Sequence, residues 1–242
     1  MLRRASVSAS SRTLRLLCAL CVTSFLFLLA GCGRHTARDT SSLIFLIESN
    51  PTNLDPRYAT DGQSQRIDSL LFSSLLERDD KMNFHGDLAE SWSTPAPLTY
   101  IFHLRAGVHF HDGRPLTAVD VKYTFDSILD PVTHSPKRGA FRMIASIDAP
   151  DAATVVFHLT APYASFLWNL TRPAVGIIPQ GAGADFSRHP VGSGPFRFVS
   201  QSQDEDAVIA RNPDYLRGAP QIAGGSTADR RGPASAMAPG RR

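Results

Sequence analysis

Apolar and polar positions along this chain follow two periods, and the switches between them mark its elements. Leu43-Ile44-Phe45-Leu46-Ile47 is an apolar run of strand length. The next stretch, Asn50-Pro51-Thr52-Asn53-Leu54-Asp55-Pro56, reads as a loop because its prolines and asparagines favour turns. From Ser64 onward Ile67, Leu70, Leu71 and Leu75 recur at helical spacing, which predicts a helix that stops before Asp79-Asp80. Tyr100, Phe102 and Leu104 alternate with Ile101 and His103 as a strand. Val108 and Phe110 begin another, closed by the turn dipeptide Asp112-Gly113.

Pro115-Leu116-Thr117-Ala118-Val119-Asp120 opens a second helix. Thr117 suits the N-cap, Asp120 stands where a capping-box acid belongs, and Val121, Phe125, Ile128 and Leu129 form one apolar stripe up to Asp130-Pro131. Val155, Phe157 and Leu159 alternate as a strand, and Ala164–Leu170 reads as a short helix. Val175-Gly176-Ile177-Ile178-Pro179 reads as a buried strand, and Phe196-Arg197-Phe198-Val199 as another after Gly192-Ser193-Gly194-Pro195. Strands and helices interleave, so the expected class is α/β, a mixed sheet with flanking helices. Residues 223–242 contain Met237 as their one large apolar side chain, too little burial to offset ordering entropy, and are expected to be an unordered tail.

Composition changes this picture mainly at the two ends. The 242 residues carry a net charge of +3, but residues 1–31 hold Arg3, Arg4, Arg12 and Arg15 and no acid. Arg217, Arg230, Arg231, Arg241 and Arg242 face only Asp229 beyond residue 216, so the part between is net negative. With the basic stretches terminal, a nucleic-acid-binding surface has no support. After Arg15 an apolar run from Leu16 to Ala30 is too short to cross a bilayer and fits the apolar region of a signal peptide. It ends in Leu29-Ala30-Gly31-Cys32, which resembles the lipobox of bacterial lipoproteins. That resemblance implies removal of residues 1–31, a lipid on Cys32 and a membrane tether; the alternative is an uncleaved anchor with an incidental cysteine. Cys18 and Cys21 form a C-x-x-C inside the apolar run, the wrong setting for redox or zinc chemistry.

Several segments together resemble the bacterial solute-binding protein family 5, the extracytoplasmic receptors of ABC importers for peptides and, in some members, nickel or other solutes. The matching stretches are Asn53-Leu54-Asp55-Pro56, Leu88-Ala89-Glu90-Ser91-Trp92 and the long run from Leu104 to Val121 that contains His109-Phe110-His111-Asp112-Gly113. Pro190-Val191-Gly192-Ser193-Gly194-Pro195-Phe196 and Arg211-Asn212-Pro213-Asp214-Tyr215 complete the series. The resemblance implies a periplasmic-binding-protein-like fold of type II over residues 32–222, with a solute held between two closing lobes. Because the matching stretches stop near Ile222, the expectation is a truncated receptor whose second lobe is missing. The implied partners are a peptide-like solute, ABC permease subunits and a membrane reached through the lipid. The alternative is a surface lipoprotein serving as a structural or interaction module.

The resemblance places Ser49-Asn50-Pro51-Thr52 at the edge of the cleft, so Asn50, Pro51 and Thr52 are the candidate solute-binding residues; an ordinary turn with local Asx bonding is the competing reading. His103, His109 and His111 offer only two clearly co-facial ligands, short of the three that zinc or nickel needs, and no metal site is expected. Gly192-Ser193-Gly194 lacks the glycines of a nucleophile elbow, and Gly181-x-Gly183 lacks the third glycine of a dinucleotide fingerprint. No catalytic constellation and no cofactor are expected, so an enzyme is disfavoured.

Overall fold

Ser42–Ile47 forms strand β1, as its apolar run requires, and Gly62–Leu71 forms helix α1. The structure, a computed structural model, describes residues 42–47, 51–171, 175–201 and 207–229. Helix α1 ends four residues before Leu75, the last position of the apolar stripe read from the sequence. Two glycines explain the stop: a Cβ at Gly192 falls 1.9 Å from the Leu71 carbonyl oxygen and one at Gly194 falls 2.5 Å from that of Leu70. The glycine-rich backbone therefore occupies the place where another helical turn would run. Its Gly194 N–H caps the Leu71 carbonyl at 2.9 Å.

Leu76–Arg78 (β2) and Phe84–Gly86 (β3) form a small antiparallel ribbon. Ala89–Ala96 (β4), Thr99–Leu104 (β5), Ile144–Asp148 (β6) and Thr154–Leu159 (β7) make an antiparallel sheet in the order β4-β5-β7-β6. Ala118–Leu129 (α2), Arg138–Phe141 (α3) and Phe166–Asn169 (α4) are the remaining helices of that part. Burial on β7 alternates strictly, with Val155, Phe157 and Leu159 inward. These meet Val121, Phe125 and Ile128 of α2 in one core. Phe157 is its hub, edge-on to Phe102 at 5.7 Å, to Phe125 at 5.2 Å and to Phe166 at 5.5 Å. Each fully buried phenylalanine contributes about 1.5–3 kcal/mol.

The α2 stripe and cap match the sequence reading. The Asp120 carboxylate accepts from the Thr117 backbone N–H at 2.8 Å and from its hydroxyl at 2.9 Å. Two apolar runs behave otherwise. Val108–Phe110 forms no strand, only an isolated bridge between His109 and Pro115. Residues 175–179 are buried but join no sheet: the Ile177 N–H donates to the Ser73 carbonyl and the Ile178 N–H to the Thr124 hydroxyl. Burial there is satisfied by loop and side-chain acceptors.

Phe196–Gln201 (β8), Ala207–Arg211 (β9) and Gly224–Asp229 (β10) complete a second sheet in the order β1-β10-β9-β8. β10 runs parallel to β1, with Ser42 opposite Gly224 and Ile47 opposite Asp229, and antiparallel to β9. The unordered tail expected from residue 223 therefore gives way to a strand over its first residues, while 230–242 lies outside the described residues. What the sequence pattern missed is that this strand is selected by backbone. β1 and β9 each offer a row of N–H and C=O groups to the space between them. A side chain is a hindrance there: a Cβ at Gly224 would sit 2.4 Å from the Ile209 carbonyl oxygen. A second core of Leu54, Ile67, Leu71, Phe72, Ile178, Phe186, Ala207 and Ile209 ties α1 to this sheet.

Candidate functional site

The loop between β1 and α1 is held by a chain of Asp and Asn turns. The Asn53 side-chain oxygen accepts from the Asp55 N–H at 2.8 Å, and Asp55 accepts from the Arg57 N–H at 3.0 Å. Arg57 returns its guanidinium to the same carboxylate, Nη2 to Oδ2 at 2.6 Å, with both side chains almost wholly buried. Burial opposes the Arg57 charge, but the hydrogen bond and attraction of Asp55 outweigh it and hold the guanidinium above its ordinary value. At the far end of the loop Asp61 caps α1, accepting from the N–H groups of Gln63 and Ser64. Partial burial would raise that carboxyl; the bonds from Ser64 and Thr52 prevail and lower it.

This loop forms one wall of a groove of about 680 Å³, with Asn53, Asp55, Arg57 and Tyr58 on that side. The polar face of α2 also lines it, with Tyr123, Asp126 and Ser127 at helical spacing, together with the C-cap Asp130 and Ala182–Ala184. Tyr123 is fixed by its hydroxyl donating to the Ala182 carbonyl at 2.9 Å. Asp126 pairs with Lys122 at 2.8 Å on the exposed side. The Arg57 guanidinium lies over the Tyr58 ring, 5.5 Å from its centre, so a fixed cation is stacked on an aromatic in the same wall. The groove is thus lined by tyrosines, carboxylates and hydroxyls.

Of the residues singled out in the sequence, Thr52 is exposed and its hydroxyl donates to the Asp61 carboxylate at 2.5 Å. Pro51 is buried, and its carbonyl accepts from Gln201 Nε2 at 3.5 Å. Asn50 and Cys32 lie outside the described residues. Thr52 and Asn53 stand on the same loop, but Thr52 does not line the groove. Tyr58, Tyr123, Asp126 and Asp130 were not singled out in the sequence. The one usable signal was the off-stripe face of α2, which places Tyr123 and Asp126 together, with Asp130 at the helix end, beside an apolar stripe otherwise devoted to the core.

The three histidines part company. His109 Nδ1 contacts the Gly107 carbonyl at 2.9 Å and His103 Nδ1 contacts the Thr154 hydroxyl at 3.5 Å. His111 instead reaches the glycine-rich segment. That segment is bound from three sides: by the end of α1, by His111, and by Asn212, whose side chain donates to the Gly194 carbonyl at 3.0 Å. The motif residues far apart in sequence therefore meet in one knot of bonds to the glycine-rich backbone.

Asp68 on α1 is buried, and neither carboxyl oxygen has a hydrogen-bond partner among the described residues. Burial pushes its carboxyl well above the usual range, with Lys137 opposing and Asp55 and Asp61 adding to the shift. A raised folded-state value means the proton is bound more tightly in the folded chain, so stability falls as pH rises above the unfolded value near 3.8. Asp68→Asn removes the titrating group and is accordingly expected to flatten the loss of stability as pH is raised from 4 to 7. Urea unfolding across that range checks it; an unchanged pH slope would contradict the burial argument.

Comparison with known proteins defines the class. The description of bacterial extracellular solute-binding proteins, family 5 (Middle), matches residues 83–225, and the chain belongs to that family. A Brucella ovis protein named as an ABC transporter peptide-binding protein is 37% identical over 183 residues, covering 70% of this chain and 34% of its own length. The glutathione-binding protein GsiB of Pectobacterium atrosepticum is 32% identical over 185 residues, covering 74% of this chain and 36% of its own length. This chain thus spans about a third of the curated relatives it matches. Among solved structures, the oligopeptide-binding protein AppA from Bacillus subtilis in complex with a nonapeptide superposes with a TM-score of 0.74 at 29% identity, covering 78% of this chain and 40% of that one. The fold is the mixed α/β architecture of type II periplasmic binding proteins, as the sequence motifs implied. The family is one of solute-binding transport proteins, not of enzymes.

Proposed function

We propose that the chain serves as part of an extracytoplasmic solute receptor of an ABC importer, taking peptide-like solutes and passing them to permease subunits. Residues 1–31 act as the signal segment, and Cys32 carries the lipid that tethers the protein to the membrane. Asn50, Pro51 and Thr52 border the solute, and the groove between Tyr58 and Tyr123 continues that surface. The observation that carries this reading is the groove itself, walled by the Asn53–Asp55 turn of a family whose relatives are named for peptide and glutathione binding. An extended peptide supplies the alternating donors and acceptors that such a wall of hydroxyls, carboxylates and tyrosine faces can meet.

Saturation-transfer NMR on the purified chain with di- to nonapeptides tests the solute class. The expected result is transfer to the peptide main chain that weakens at least threefold in Tyr58→Ala, with none to glucose or maltose. Equal transfer to sugars and peptides contradicts the assignment. In cells supplied with an alkyne fatty acid, the chain is expected to take up label and Cys32→Ser to take up none; equal labelling of both rules out the anchor.

A further inference from the structure

We propose that His111 is an acid-sensitive latch, holding the Gly192–Gly194 segment in place while its ring is neutral and releasing it on protonation. The Gly192 N–H donates to His111 Nδ1 at 3.2 Å, so Nδ1 must carry its lone pair. His111 Nε2 lies 3.2 Å from the Gly194 carbonyl, an acceptor only, so Nε2 must carry the proton. The two contacts together define one neutral tautomer. A second proton has a single place to go, Nδ1, where it meets the Gly192 N–H head-on. The bond is then lost and two donors oppose each other.

The surroundings favour the neutral ring. His111 is partly buried, which disfavours the imidazolium; the Gly194 carbonyl favours it, Arg197 on β8 repels it and Asp112 of its own turn attracts it. The sum is a value below the ordinary one near 6.5. Gly192, Ser193 and Gly194 bring no titratable group, and Asn212, the other side chain on the Gly194 carbonyl, is neutral. A base lowered on folding is protonated more readily in the unfolded chain, so its stabilising effect is complete above pH about 6.5 and is lost as pH falls below it.

What the latch releases matters because this segment occupies the end of α1 and leads directly into β8. The His111 N–H also donates to the Gly192 carbonyl at 2.8 Å, so turn and segment stay tethered by one backbone bond after the ring lets go. The predicted change is a local loosening of residues 190–195 against α1. A chain on the extracytoplasmic side, as proposed above, meets external pH directly. The latch involves no solute, so its failure and that of the solute-binding reading are read separately.

The test is a pH titration of the purified full chain by ¹⁵N NMR with amide exchange. Expected are an Nε2–H tautomer of His111 at pH 7.5 and a Gly192 protection factor that falls up to about tenfold per pH unit through the His111 midpoint. An Nδ1–H tautomer, or an imidazolium at pH 7.5, overturns the proposal. His111→Asn places an amide oxygen near Nδ1 and should keep Gly192 protected with no pH dependence between 7.5 and 5. The same pH dependence in that variant overturns it too. Should the variant fail to fold, the wild-type titration decides: distinct midpoints for His111 protonation and Gly192 exposure exclude the latch.

Discussion

Gly192→Ala is expected to destabilise the folded chain by about 3 kcal/mol or more, among the larger effects that one methyl group can have. The added Cβ would stand 1.9 Å from the Leu71 carbonyl oxygen, 2.7 Å from its carbon and 2.8 Å from Cδ1 of Phe72. Two of these atoms are backbone at the C-terminus of α1, where no rotamer change makes room. Moving the segment away breaks the Gly194 cap on Leu71 and pulls on both His111 contacts. Gly139→Ala is the control. Gly139 lies within α3 with nothing within 4 Å of its Cβ position, so alanine there is expected to be neutral or to stabilise by about 0.5–1 kcal/mol. Urea unfolding followed by Trp92 and Trp168 fluorescence gives both values. Midpoints of the two variants that coincide would show that the close approach at Gly192 is not a real constraint.

The same glycine shows where the sequence was readable and where it was not. Periodicity places β5, α2, β7 and β8 because their burial is decided within the element itself. Val121, Phe125 and Ile128 share a face of α2 whatever lies opposite, and Val155, Phe157 and Leu159 share a face of β7. The end of α1 is different. Leu75 continues the helical stripe, yet the stop is imposed by a backbone segment more than a hundred residues later. β4 escaped notice because Ala89–Ala96 is largely exposed and carries almost no apolar alternation; its place is set by pairing with β5. β10 escaped notice because its small residues are chosen by the gap between two strands. The groove was half legible. The Asn53-Leu54-Asp55-Pro56 motif is local, and its i to i+2 turns follow from residue type, whereas Tyr58 and Tyr123 line one groove only because of where α2 packs.

Asp87 brings a second large effect, of a different kind. It is fully buried between β3 and β4, and its carboxylate accepts from the Ser74 N–H at 3.0 Å and from Arg217 Nη2 at 3.2 Å. Its own carbonyl accepts from Arg105 Nε at 2.8 Å. Arg217 also reaches Glu77 at 2.5 Å, so one arginine past the Asn212-Pro213-Asp214-Tyr215 motif fastens that stretch onto the β2–β3 ribbon. Asp87→Ala strands the buried Ser74 amide and removes charge-assisted bonds at the same time, and the expected loss is about 3 kcal/mol or more. Asp87→Asn keeps one acceptor oxygen and is expected to lose about half as much. The ion pair itself is the smaller part, because Arg217 is partly exposed and keeps Glu77. A double-mutant cycle with Arg217→Ala is therefore expected to give a coupling of no more than about 1 kcal/mol. A coupling as large as the whole Asp87→Ala loss would reverse the assignment and make the arginine, rather than the Ser74 amide, the reason a carboxylate is buried there. Asp68 points the same way from the opposite side: burial without donors makes an aspartate costly, and burial against an amide that has no other acceptor among the described residues makes one indispensable.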